Sequence, residues 1–229
     1  MLSGTIFEKT RIPLQKWFAA ISLVVNAKKS LSSHQLARDL RLNQKTAWYI
    51  LQRIRKAMGK KDTLLKGIVE ADETFVGGRP RKENKKEDRP KGSGNNPTKK
   101  TAVLGAVERG GEVKTMMAKR VDGETLARFI RSAVSPEGTT VLTDEFPGYR
   151  EIEGLYEHDV INHSKRYVDG DIYTNTIEGF WSLVKRAWYG THHHYTKKYM
   201  PLYLNEASWK YNRRKDPNAF DTILRGLFG

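Results

Sequence analysis

The chain has 229 residues, with 41 Lys and Arg against 26 Asp and Glu, a formal net charge of +15, and no cysteine. That length can bury a sizeable core without staples, and the missing thiols exclude disulfides, thiolate zinc sites and cysteine nucleophiles. The most apolar stretch, 17–25, has nine residues including Ser22, too short to span a bilayer, and residues 1–4 open no secretory signal. The expectation is a soluble cytoplasmic protein, off the membrane, that attracts polyanions.

The first elements read as helices. Pro13 suits a first turn, and Trp17, Phe18, Ile21, Val24 and Val25 recur at helical spacing over 13–29. Ser32 followed by Gln35 is a capping-box signature for a short helix over 32–40. After the turn at 41–43, Asn43 suits the cap of a second helix over 44–58. Two short helices around a tight turn form a helix-turn-helix, whose second helix enters the DNA major groove. Its leading face offers Gln44, Lys45, Thr46, Trp48 and Tyr49, with Arg53, Arg55, Lys56, Lys60 and Lys61 as phosphate partners. Residues 1–66 hold 14 basic and 3 acidic side chains, which favours nucleic acid over a plain helical hairpin.

From residue 67 the pattern changes. Residues 67–76 alternate like a strand. Residues 79–100 carry 9 basic and 3 acidic side chains and no large apolar residue, so they read as a mobile basic loop. Strands over 101–108 and 112–121 flank the turn Arg109, Gly110, Gly111. An amphipathic helix over 123–134, a buried strand over 139–143, a turn or short helix over 147–154 and a strand over 158–162 follow. Helices over 173–189 and 198–214 close the series. A hairpin-led sheet alternating with helices is a mixed α/β architecture. The expected organisation is a helix-turn-helix unit at 1–66 and an α/β domain at 67–229.

Three acids occupy telling positions. Asp72 stands mid-strand, where its propensity is poor and solvated charge is misplaced; Glu73 next to it points to the other face. Asp144 ends a buried strand, where open α/β sheets place ligands, although it also suits the start of a turn. Glu178 lies in the first turn of a helix, where Asn175 as N-cap and Glu178 three residues on also resemble a capping box. Hard carboxylate oxygens on three elements of one sheet suit Mg²⁺ or Mn²⁺. Two such ions would serve phosphoryl transfer. The run His192, His193, His194 is a poor chelate, because consecutive side chains diverge. Trp181, Trp188, Tyr203 and Trp209 read as core.

The chain resembles the IS1595-type (ISXO2-like) insertion-sequence transposases, a branch of the DDE transposases with an RNase H-like fold. The stretches that carry the likeness are VEADETFVGG at 69–78, LTDE at 142–145, INHS at 161–164 and above all NTIEGFWSLVKR at 175–186, together with the helix-turn-helix at 33–55. The resemblance implies that Asp72, Asp144 and Glu178 form a catalytic triad holding two Mg²⁺ or Mn²⁺ ions. It also implies cleavage at insertion-sequence ends, strand transfer into target DNA, and a homo-oligomer on terminal inverted repeats. Lys185, seven residues after Glu178 and on the same helical face, suits a DNA phosphate. His163 and Asn175 read as supporting residues of the centre, and Arg213 and Arg214 as backbone contacts. Proteins of this family usually begin with a cysteine-paired zinc ribbon, ahead of the segment that matches 2–7; this chain starts at about its end. The alternative expectation is therefore a DNA-binding protein without catalysis, either a regulator or a decayed transposase lacking its ribbon.

Overall fold

The computed structural model describes residues 3–59, 63–77, 100–161 and 174–228. The predicted basic loop, except Lys100, lies outside them, as do Lys60, Lys61 and His163. The chain forms two compact units, one of residues 1–63 with 182–229, the other of residues 64–181.

The helical unit begins with α1 (Leu14–Asn26), α2 (Ser33–Asp39) and α3 (Gln44–Ala57). The two predicted caps form: Ser32 Oγ accepts from the Gln35 amide at 3.1 Å, and Asn43 Oδ1 accepts from the Thr46 amide at 2.7 Å. The helices share a core of Trp17, Ile21, Leu36, Ile50, Leu51 and Ile54. The C-terminal helices α6 (Met200–Asn212) and α7 (Ala219–Phe228) belong to this unit and add Trp209 and Ile223 to its core. Sequence periodicity instead groups 198–214 with the sheet and gives no sign of α7.

A buried ion-pair cluster also joins α6 to α3. Glu206 of α6 accepts from Arg55 Nε of α3 at 2.7 Å and from Lys210 Nζ at 2.7 Å, and Ser30 Oγ donates to it at 2.9 Å. Burial alone would raise the Glu206 carboxyl, but Arg55 and Lys210 overcome it and hold it at about 2. Arg55 also lies over the Tyr203 ring, 4.0 Å from its centroid. Arg55, expected on a DNA phosphate, is thus a core residue with 1% of its side chain exposed.

Helix α5 (Asn175–Arg186) does not continue to 189 in α geometry; it widens into a π turn over Ala187–His192, which buries Trp188. His192 Nε2 meets Ser30 Oγ at 2.8 Å. Burial, with Arg55 next in effect, lowers its imidazole to about 4. A depressed histidine favours folding while neutral. Its contribution is whole above the ordinary value of 6.5 and is lost as pH falls through about 4. The loss is at most roughly 3 kcal/mol. Thermal melts at pH 7 and pH 4.5 should therefore differ more for wild type than for His192→Gln; equal pH dependence would refute this.

The second unit is a five-stranded sheet in the order β3-β2-β1-β4-β5. Its strands are β1 (Leu65–Val76), β2 (Thr101–Glu108), β3 (Val113–Ala118), β4 (Val134–Thr143) and β5 (Glu157–Val160), with α4 (Gly123–Ala133) before β4. Strand β2 pairs antiparallel with β1 and β3, whereas β4 is parallel to β1 and to β5. This is the expected α/β, RNase H-like mixed sheet with flanking helices. Val69, Ala71, Leu104, Val141, Ile130 and Tyr149 form its core on the α4 side. Strand β4 begins five residues earlier than the apolar run suggested. It follows α4 directly, and the register with β1 slips between Leu65 and Gly67, where Gly67 takes φ 70°.

Candidate active site

The centre of the site is Asp72 on the middle strand. Its pairing partner on β2 is Gly105. The missing side chain at Gly105 leaves room for the Trp181 ring of α5, whose indole Nε1 donates to Asp72 Oδ2 at 2.9 Å. The other oxygen, Oδ1, accepts from the Glu73 amide at 2.8 Å. A Cβ at Gly105 would run into the Trp181 ring and press on Ile177 Cδ1. Gly105→Ala should therefore cost about 1–3 kcal/mol and shift Trp181 emission, as read by thermal melts and fluorescence. An unchanged spectrum and midpoint would contradict this packing.

Asp144 follows β4. The parallel register sets Glu70 opposite Leu142; carried two residues further along both strands, it sets Asp144 beside Asp72. Asp144 Oδ1 also accepts from the Phe146 amide at 3.1 Å, so it starts the turn as well. Glu178 is exposed on the first turns of α5.

The capping-box reading of that helix does not hold. Asn175 is the first helical residue and is exposed, and the Glu178 amide donates to Thr174 O at 3.2 Å. Glu178 therefore stands one position beyond the box. The capping falls to Glu70, which accepts from the amides of Thr176 and Ile177 at 2.9 and 3.0 Å. Lys185 is exposed in the last turn of α5.

Electrostatics ties the acids together. Burial, then the Asp144 charge, raises the Asp72 carboxyl to about 6; Glu178 adds to the rise, while the Glu73 amide and Trp181 oppose it. Glu73 is raised to about 7 by burial, then by Asp144 and Asp72. It lies on the opposite face, as strand alternation requires, and accepts from the Tyr149 hydroxyl at 3.0 Å. Burial and then Glu73 push the Tyr149 phenol well above its ordinary range. Glu73 is thus a member of this acidic field. Its signal is its place directly after Asp72 in the strand.

The donor set can be weighed against a divalent cation. Among the described residues, no three His, Cys, Asp or Glu side chains meet as a group that could hold an ion unaided. Mg²⁺ does not demand that, because it commonly takes one or two carboxylates and completes its shell with waters and substrate phosphate. The charges that most raise Asp72 and Glu73 are other carboxylates, which is the imbalance a cation relieves. The residues fit Mg²⁺ or Mn²⁺.

In the helical unit the expected reading face is only partly free. Lys45 is exposed, and the Thr46 amide is held by the Asn43 cap. Gln44 Nε2 donates to Ser33 Oγ at 2.9 Å. Arg53 donates to the Tyr49 hydroxyl at 2.7 Å and to Thr5 O at 3.3 Å. Trp48 packs edge-on against Tyr199, with ring centroids 5.1 Å apart. After α6, Arg213 is partly buried, and Arg214 is exposed with its guanidinium over the Tyr211 ring. The three adjacent histidines of 192–194 form no metal group among the described residues.

The five-stranded mixed sheet with an acidic residue on its central strand fits a domain of the DDE transposase class, which the family match establishes. The chain belongs to the ISXO2-like transposase domain family, whose pattern matches residues 64–212. A Halobacterium salinarum protein of the transposable element ISH50 is 28% identical over 238 residues, covering 97% of this chain and 78% of that protein. Among solved structures, a Mos1 transposase paired-end complex with the left transposon end is similar at 16% identity and a TM-score of 0.42, covering 96% of this chain and 77% of that one. A Mos1 strand transfer complex is similar at 13% identity and a TM-score of 0.35, covering 95% of this chain and 80% of that one. Among the described residues, no helix is long and apolar enough to cross a membrane.

Proposed function

We propose that this protein is the transposase of an insertion sequence, cutting the element's ends in a divalent-metal-dependent reaction and joining them to target DNA. The observation that carries the reading is the strand register that brings Asp144 beside Asp72, with the Asp144 and Glu178 charges both raising the Asp72 carboxyl, inside an ISXO2-like transposase domain. Asp72 and Asp144 are the principal carboxylates for the ions, and Glu178 completes the set from α5. When bound, the ions would supply an activated water and would neutralise the leaving oxygen of the phosphodiester. Trp181 fixes the Asp72 carboxylate by its indole N–H, and Tyr149 holds Glu73 by its hydroxyl. Lys185 offers a cation to DNA phosphate.

The helix-turn-helix holds DNA through Lys45 and Gln44 at the start of α3, with Thr46, Tyr49 and Arg53 around them. Arg213 and Arg214 add backbone contacts. Two ends held at once call for a homo-oligomer on DNA, acting in the cytoplasm. Such binding should weaken steeply with salt, because many phosphates are neutralised.

The experiment is strand transfer by purified protein, using linear DNA with the element's terminal inverted repeats and a supercoiled target. Joined products in Mg²⁺ or Mn²⁺, absent in EDTA, are expected. Binding to the ends without nicking in either metal would instead establish a non-catalytic DNA-binding protein.

A further inference from the structure

Glu70 is fully buried, with none of its side chain exposed. Strand alternation puts it on the same face of β1 as Asp72, two residues on. One oxygen, Oε2, accepts from the amides of Thr176 and Ile177. The other, Oε1, accepts from Thr176 Oγ1 at 2.8 Å and from Arg109 Nε at 2.9 Å. Four donors therefore converge on one carboxylate.

The choice of cap is unusual in its sequence separation. A helix start normally takes its cap from the residue just before it. Here the cap comes from a strand residue 106 positions earlier than Thr176. A local cap fixes only the helix end, whereas a cap from the sheet also fixes where the helix lies. Negative charge at an amino terminus is favoured by the helix dipole, and Arg109 partners the same carboxylate from beside the β2–β3 turn. Glu178 follows Ile177 directly, and Trp181 ties the next turn to Asp72. Both tethers run from one face of β1 to the helix segment that contains Glu178.

We propose that Glu70 is a positioning residue for the acidic centre, clamping the start of α5 to β1 so that Glu178 is held in fixed register with Asp72. The proposal rests on the transposase reading of that centre. Arg109 and Thr176 complete the clamp, and Glu70 itself touches neither metal nor DNA.

The test uses the full chain as wild type, Glu70→Gln, Thr176→Val and Asp144→Asn. Glu70→Gln keeps the shape but removes the charge and sets its amide NH2 against either the helix amides or the Arg109 Nε–H. Thr176→Val removes one donor and leaves the backbone bonds, which safeguards the test should Glu70→Gln not fold. Hydrogen exchange of the 174–181 segment reads the clamp, and uptake of Mn²⁺ followed by its electron spin resonance reads the centre. Expected are exchange at least about tenfold faster over 174–181 in Glu70→Gln, a smaller acceleration in Thr176→Val, and Mn²⁺ half-saturation raised in the same order. Faster exchange with unaltered Mn²⁺ uptake would reduce Glu70 to an ordinary cap and overturn the proposal. Unaltered exchange would overturn it too. Asp144→Asn separates the two claims: if it leaves Mn²⁺ uptake intact, the reading of the centre fails and takes the proposal with it. If Asp144→Asn abolishes uptake while both clamp variants keep it, only the proposal fails.

Discussion

Asp144→Asn should lower metal-dependent cleavage of end DNA by on the order of a thousandfold, equivalent to about 4 kcal/mol of transition-state stabilisation. The substitution is nearly isosteric, and its amide oxygen can still accept from the Phe146 amide that Asp144 now binds. What it removes is the charge. Asp144 is the leading charge raising both Asp72 and Glu73, so its loss relieves repulsion in the metal-free protein. The midpoint of thermal unfolding in EDTA should therefore stay level or rise while activity collapses. A residue kept for folding would show the reverse, with stability and activity falling together. The measurement is single-turnover cleavage in Mg²⁺ beside melts in EDTA. Retained cleavage would remove Asp144 from the centre.

The largest stability effect is expected at Glu206. Glu206→Leu leaves Arg55, 1% exposed, and Lys210, 8% exposed, facing one another without their shared carboxylate. Breaking a buried pair on one side costs about 3–5 kcal/mol. At roughly 2–4 °C per kcal/mol, the helical unit should melt some 6–20 °C lower. Replacing Arg55 by Met in the same chain removes one stranded charge and should restore part of the loss. The pH dependence has a definite sign. The Glu206 carboxyl is depressed from 4.5 to about 2, so its contribution is whole above 4.5 and lost as pH falls through 2. Glu206→Leu should therefore flatten the acid limb of the stability curve. A variant melting within a degree of wild type would show that the cluster contributes nothing.

Local chemistry made much of this fold legible. The caps at Ser32 and Asn43 and the turn at Arg109, Gly110 and Gly111 depend on residues a few positions apart, and they formed where expected. The strand carrying Asp72 was visible from its alternation, and Asp72 stood out because an acid breaks the rule for strand interiors. Long-range partners were not visible. Arg55 looked like a phosphate contact because its partner, Glu206, is 151 residues away. Glu178 looked like a capping-box acid because the true cap, Glu70, lies 106 residues before Thr176. Alternation along β1 does place Glu70 on the face of Asp72, and that was the available clue. Gly105 gave no sign of its role, since its meaning depends on a ring that arrives from α5. Helix α7 was missed because its apolar residues Phe220, Ile223 and Leu224 find their partners in the amino-terminal helices.

The central claim is that Asp72, Asp144 and Glu178 form one divalent-cation centre. Its most direct test is Mn²⁺ uptake by the full chain bound to end DNA, measured by electron spin resonance for wild type, Asp72→Asn, Asp144→Asn and Glu178→Gln. The account predicts saturable uptake by wild type and weakening by at least about tenfold in each variant, a loss of 1.4 kcal/mol or more in each case. Uptake by all three variants at wild-type affinity, with their folds intact, would contradict it.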